Sequence, residues 1–371
     1  MFIKRLSLKD YRNYKYTVVN FSDGINILFG KNAQGKTNII EAIYLCATSK
    51  SHRTSSDKEL INLEKSEAHI KLTVNKKGID ENVDIHIKKN NRKGIAINRI
   101  PIKKLNELLG IVNVIIFSPE DLGLIKNGPK ERRKFLNLEL CQLDNIYYYN
   151  LQQYQKILKQ RNNLLKTLKK TGKIDETINI WDNQLVHFGT KIIYKRKEFI
   201  DKLNLIINKI HSDISGNKEN LQIEYEKNVN DGNFKQKLEN NLDKDIRFGT
   251  TSVGPHRDDM MFLVNGIDIR KYGSQGQQRT AALSLKLSEI KLVIDKIDDT
   301  PILLLDDVLS ELDDERQKYL IHSLKNIQTI ITCTGVEDYI KNSIDIGKLY
   351  KVNNGEVALY ELPYKNSNSS H

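Results

Sequence analysis

The sequence has little cysteine: Cys46, Cys141 and Cys333 are the only three, far apart and without a CxxC pair. That spacing excludes a zinc hook or a disulfide framework and predicts reduced thiols in a cytoplasm. Long hydrophobic runs are missing too. No stretch reaches the roughly 18 to 20 apolar residues of a membrane-spanning helix, and the opening MFIKRLSLKDYRNY alternates like a strand where a secretion signal would be continuously apolar. Six prolines and 20 glycines in 371 residues are too few for a collagenous or linker-built chain. With 39% hydrophobic and 29% charged residues, what remains is a globular protein with two or three domains' worth of chain.

Charge of one sign is in excess. Lys and Arg number 59 against 47 Asp and Glu, a net of +12, which makes an acidic partner such as nucleic acid the first expectation. The excess is local. Residues 126–211 carry 18 Lys/Arg against 8 Asp/Glu, so most of the net charge falls in under a quarter of the chain.

Residues 25–29 (INILF) read as a buried strand, 30–35 as a loop and 36–47 as a helix. Alternation at 69–74, 83–88 and 95–97, with turn residues between, predicts antiparallel sheet, and 111–117 (IVNVIIF) another buried strand. Residues 129–215 read as two long helices folded back on one another, with a break at Thr171-Gly172. Leu151, Tyr154, Leu158, Arg161, Leu165 and Leu168 mark the seam. A polar stretch to Lys244 follows. A strand at 261–264, a helix at 276–296, a strand at 302–305, a helix at 313–324 and a strand at 329–332 then give the βαβ rhythm of a mostly parallel sheet. The expected division is 1–128 and 246–365 as two parts of one domain, 129–245 as an inserted helical lobe, and 366–371 as a tail.

Gly30-Lys31-Asn32-Ala33-Gln34-Gly35-Lys36-Thr37 fits G-x-x-x-x-G-K-S/T between a buried strand and a helix, the context of a P-loop. Glycines let backbone N–H groups turn onto phosphate and the helix N-terminus adds its positive end. Lys36 would reach the β/γ-phosphates, and the Thr37 hydroxyl would ligate Mg²⁺. Asn38 continues the binding segment. Downstream, 302–307 (ILLLDD) is an apolar strand tipped with paired carboxylates: Asp306 for the metal, Asp307 to orient or deprotonate the attacking water. Tyr272-Gly273-Ser274-Gln275-Gly276-Gln277 opens a helix, where exposed N–H groups and the Ser274 hydroxyl suit an anion.

In that company Gly273, Ser274, Gly276 and Gln277 resemble the LSGGQ signature of ABC-type ATPases, and 310–313 (SELD) their D-loop. The strand from Thr329 ends without the switch histidine of transporters, and Glu120 or Asp121 sits where a Q-loop glutamine would be. LSLKDYRNY, FGKNAQGKTN, KSHRT, FSPEDL, GPKERRKFL, TSVGPHRDDM, YGSQGQQRT and LLLDDVLSELD, in this order over nearly the whole chain, resemble the RecF family of bacterial recombination-repair ATPases. The resemblance implies an α/β ABC-type head, in which a mixed P-loop sheet carries an antiparallel portion, plus a helical second lobe. It further implies ATP and Mg²⁺ as cofactors and a homodimer with ATP sandwiched between P-loop and signature. The partners it implies are DNA, RecO and RecR, with RecA loaded at gaps. An SMC-like or zinc-hook head would need far longer helices and a CxxC, a transporter domain a membrane partner, and a scaffold that no longer hydrolyses would not need the intact Lys36, Thr37, Asp306 and Asp307. For DNA the candidates are Lys130, Arg132, Arg133, Lys195, Arg196 and Lys197 on the helical insert, with His52-Arg53 coupling DNA to nucleotide. His256 and Arg257 read as bracing a turn, and no His or Cys spacing points to a metal.

Overall fold

The computed structural model describes residues 1–172, 176–335 and 345–361. The expected tail at 366–371 lies outside them. Two compact units divide the chain: 1–119 with the described residues from Val293 onward, and 120–292. The second unit is wider than the 129–245 expected of a helical lobe, because it also holds the strand Asp259–Val264 and most of the helix Gln275–Ile297.

In the first unit, a six-stranded sheet runs in the order Glu356–Leu359, Ile346–Asn353, Ile25–Phe29, Thr329–Cys333, Ile302–Asp306, Val114–Phe117. All neighbours are parallel except the first pair. Thr329–Cys333 and Ile302–Asp306 are buried at every position, which is why they read as continuous apolar runs and not as alternation. Their register sets Asp306 beside Thr332, and Thr332 beside Leu28, so the acidic strand tip and the end of the P-loop strand share one edge of the sheet. The strand expected at 111–117 starts only at Val114, since 105–112 turn through short helical bends. Ile346–Asn353 and Glu356–Leu359 extend the sheet beyond the elements expected from the sequence.

The same unit carries an antiparallel sheet, Tyr14–Asn20, Phe2–Tyr11, Glu67–Lys76, Ile79–Lys88, Gly94–Ile97 and Ile100–Pro101. Alternate residues such as Ile70, Leu72 and Val74 are buried, and their neighbours face out. Gln328 fastens this sheet to the parallel one. Its amide exchanges hydrogen bonds with Ile3 N (2.6 Å) and Ile3 O (2.8 Å) and donates to Ser22 O (2.6 Å).

Within 129–215, where two helices were expected, the described residues form three, Pro129–Leu143, Asn145–Thr171 and Ile178–Ile214. The extra break is at Asp144, whose carboxylate caps the second helix through Ile146 N and Tyr147 N. The long pair has 27 and 37 residues, about 40 and 55 Å at roughly 1.5 Å per residue. The polar stretch before Lys244 hides a strand, Leu221–Glu226, paired with Asp259–Val264. No helix among the described residues is long and apolar enough to cross a membrane.

Candidate functional site

The loop from Gly30 to Lys36 links the Ile25–Phe29 strand to the helix Lys36–Thr48. Gly35 caps that helix at φ 116°, where L side chains are strained, and a Cβ there would meet the Asn13 amide at 2.7 Å. The loop is gripped from outside. Asn13 Nδ2 donates to Gln34 O (2.9 Å), the Tyr14 hydroxyl to Gly35 O (3.0 Å), and Gly355 N to Gln34 O (3.1 Å). Asn38 Nδ2 in turn donates to Asn13 Oδ1 (2.8 Å). Sequence reasoning did not single out Asn13, Tyr14 or Gly355. The RNY that follows the first strand was the available signal for the first two.

Lys36 is buried, and its Nζ donates to Gly30 O (2.6 Å) and Lys31 O (2.8 Å), arching over the loop it belongs to. Burial lowers its ammonium, opposed by the nearby Asp307, Cys333 and Asp306. Thr37 Oγ1 donates to Asp306 Oδ1 (2.9 Å), and Thr332 Oγ1 donates to the same oxygen (2.7 Å). Two residues 269 apart in sequence, Thr37 and Asp306, thus meet as a hydroxyl–carboxylate pair of hard oxygen donors. Asp307 sits at φ 55°, an unusual conformation for a non-glycine residue, held by its own N–H on Thr332 Oγ1 (3.0 Å). Burial pushes its carboxyl up, with Lys36 acting the other way.

Asn32, Ala33, Gly35, Lys36, Thr37, Asn38, Arg53, Asp307 and Thr332 line a cavity of about 300 Å³. Arg53, expected to touch DNA, therefore lies at the loop, where its Nη1 donates to Asn38 Oδ1 (2.9 Å). Its segment is tied down by the fully buried Glu41, which accepts from Arg12 (2.7 and 2.9 Å) and from the Ser51 hydroxyl (2.5 Å). Burial alone would raise the Glu41 carboxyl, but these hydrogen bonds and the charges of Arg12 and Arg53 bring it below the usual range.

The signature segment belongs to the second unit. Ser274 is exposed just before the helix Gln275–Ile297 and forms a reciprocal cap: Gln277 N donates to Ser274 Oγ (3.2 Å), and Ser274 N donates to Gln277 Oε1 (2.9 Å). Gln277 Nε2 reaches Glu219 Oε1 (2.9 Å). A Cβ on Gly273 would fall 2.6 Å from Ile269 O, so the approach to the cap has room only for glycine.

Two of the DNA candidates are corrected by their burial. Arg132 and Arg196 are 1% and 2% exposed. Arg132 pairs with Asp259 (2.6 Å) and donates to Leu124 O and Asn127 O. Arg196 pairs with Asp258 (3.0 Å) and donates to Pro255 O and Asn137 Oδ1. Neither presents a free guanidinium to phosphate, because carboxylates of the unit's own core already occupy them. Arg133 is half-buried and donates to Asp258 O (2.8 Å). Lys195 bonds Glu198 (3.2 Å) and lies 3.4 Å from Asp144, whereas Lys197 is exposed and pairs with its i,i+4 neighbour Asp201. His256 braces its turn as expected, between the Tyr154 hydroxyl (2.7 Å) and Thr251 O (3.0 Å).

The family model for the RecF/RecN/SMC N terminal domain matches residues 2–358. The chain is 54% identical over 359 residues to the DNA replication and repair protein RecF of Lachnospira eligens, covering 96% of this chain and 99% of that one. It is 53% identical to the protein of the same name from Lachnoclostridium phytofermentans, with 96% and 99% covered. Among solved structures, the recombination mediator protein RecF bound to ATP, of the RecFOR pathway, superposes with a TM-score of 0.91 at 36% identity over 97% of this chain and 98% of that one. The Smc head domain of Pyrococcus furiosus shares the fold, with a TM-score of 0.57 at 16% identity and 97% and 96% covered.

Proposed function

The chain belongs to the RecF family, and from that premise we propose that it is an ATP-dependent DNA-binding protein of recombinational repair and replication restart. ATP brings two copies together, the dimer holds DNA at gaps or junctions and helps RecO and RecR load RecA, and slow hydrolysis to ADP and phosphate releases it. The observation that carries the nucleotide part is the convergence of Lys36, Thr37, Asp307 and Thr332 on one cavity, with Asp306 bonded to both threonines.

The residues have distinct tasks. Loop N–H groups from Gly30 to Lys36 receive the phosphates, and Lys36, now on two loop carbonyls, exchanges them for phosphate oxygens. Thr37 and Asp306 offer the oxygen ligands that suit Mg²⁺, whose charge would offset that of the phosphates. Asp307, its carboxyl raised by burial and lining the same cavity, would accept a proton from water. Arg53 and Asn38 line the same cavity and would bind the nucleotide. Gly273, Ser274, Gly276 and Gln277 would cover the γ-phosphate held by a second copy, using the exposed cap of the signature helix. DNA contacts fall to exposed lysines of the long helices, Lys156, Lys159, Lys191 and Lys197, and no longer to Arg132 or Arg196.

The test compares three variants. Lys36→Ala should lose ATP affinity with the fold intact, Asp307→Asn should bind Mg-ATP but turn over slowly, and Ser274→Arg should bind ATP yet fail to dimerise in sedimentation with a non-hydrolysable analogue. Equal nucleotide affinity in wild type and Lys36→Ala would refute the site, and a Ser274→Arg protein that dimerises normally would refute the shared one.

A further inference from the structure

On the antiparallel sheet of the first unit, three side chains that the nucleotide chemistry does not use come together. Glu67 and His69 lie two apart on one strand and so share a face, and His86 is directly opposite His69 on the next. His86 Nε2 is 3.0 Å from Glu67 Oε2, and His69 Nε2 is 3.7 Å from Glu67 Oε1. The two rings stack with centroids 3.9 Å apart and planes 21° from parallel, so both Nε2 edges turn toward the same carboxylate.

We propose that Glu67, His69 and His86 form a binding site for a borderline divalent transition metal, zinc by preference, separate from the Mg²⁺ ligands of the P-loop. One donor atom from each residue lies within 4.8 Å of the others. A tetrahedral site with metal–ligand distances of about 2.0 to 2.1 Å has ligand atoms about 3.3 Å apart, and the two histidine–carboxylate separations, one to each Glu67 oxygen, lie on either side of that value. Two imidazoles and a carboxylate suit zinc, cobalt or nickel and not magnesium, and they leave a fourth position for water.

Access favours the same reading. The three side chains are 34% to 46% exposed, and the histidines line an open cavity of about 530 Å³. All three cysteines are buried, so no surface thiol competes for a soft metal. The groups that oppose binding are Lys88, whose Nζ is 3.9 Å from Glu67 Oε2, and Lys9, Lys71 and Lys93 around the cavity, where Asp84 is the compensating acid. Lys88 competes with the metal for one carboxylate oxygen and weakens the site without blocking it.

Zinc titration of the full-length protein against a chromophoric chelator, free of nucleotide and in an Asp306→Asn background, reads the site apart from the P-loop carboxylates. One zinc per chain is expected, with affinity reduced at least about tenfold in His86→Gln and abolished in His69→Ala/His86→Ala. Lys88→Ala should bind severalfold more tightly, a gain that misfolding cannot imitate. Imidazole ¹⁵N resonances of His69 and His86 should move together on titration. Zinc affinity unchanged in the double variant, absent in wild type, or indifferent to Lys88→Ala would overturn the proposal.

Discussion

In the central strands of the parallel sheet in the first unit the fully buried side chains are uncharged, mostly aliphatic ones such as Ile27, Leu28, Leu304, Ile330 and Ile331 with Asn26, Thr329 and Thr332 among them, and the charges gather at strand ends beside the loop. In the second unit the largest fully buried side chains are Arg132, Arg161 and Arg196. Arg161 takes a place in the helix seam that a leucine would fill, and pairs there with Asp182 (2.5 Å) and Asp245 (2.7 Å). The contrast teaches that local net charge does not measure the charge available to a ligand. Part of the basic excess between 126 and 211 is spent on the unit's own aspartates.

The hardest way to break the second pattern is to leave its carboxylates unpaired. Arg161→Met strands Asp182 and Asp245, so denaturant unfolding should show a loss of about 3 to 5 kcal/mol. Replacing Asp182 and Asp245 with leucine as well should restore much of it. Recovery is the sharper result, because it separates the cost of unpaired charge from that of lost packing.

Acid should weaken the second unit by a related route. Thr251 O can only accept, so His256 Nε2 carries the proton and Nδ1 accepts from Tyr154. Burial pushes this histidine down to about 4 from 6.5, with Arg257 and Arg133 adding to the effect and Asp245 opposing it. The unfolded chain therefore binds the proton first. Stability from this group is complete above pH 6.5 and is lost as pH falls toward 4, about 3 kcal/mol in all. Denaturation midpoints at pH 7 and 4.5 should diverge less in His256→Gln than in wild type.

In the first unit the corresponding change is smaller. Thr332→Val keeps the shape but removes the hydroxyl shared by Asp306 and Asp307 N, costing about 1 kcal/mol. Nucleotide turnover should fall while the melting temperature barely moves. The smallest stability effect is expected at Lys197→Glu, within about 0.5 kcal/mol, since its partner is an exposed i,i+4 acid. DNA affinity at low salt should nevertheless drop in this variant. A change confined to stability would remove Lys197 from the binding surface.

What was legible in the sequence was contiguous. The P-loop is eight successive residues, and ILLLDD announces both a buried strand and an acidic tip. The grips on that loop were not legible, because Asn13 and Gly355 reach it from turns between strands whose order only the folded sheets set. Arg132 and Arg196 misled because residue type gives charge, whereas burial depends on partners such as Asp258 and Asp259 more than sixty positions away. The Glu67 and histidine cluster was invisible for the same reason: cross-strand register makes neighbours of positions 69 and 86.

The P-loop strand lies between Thr329–Cys333 and Ile346–Asn353, both made some three hundred residues after it. On a ribosome adding about 5 to 20 residues per second, Ile25–Phe29 waits on the order of tens of seconds for either neighbour. Residues 120–292 are continuous and need no such delay. The nascent chain should thus acquire protease resistance in its middle before its beginning, and the ability to hold nucleotide should arrive last, with the final strands. For that interval the apolar INILF segment depends on chaperones or on the speed of translation, and slowing synthesis beyond residue 292 should lower the yield of active protein more than slowing it before residue 120.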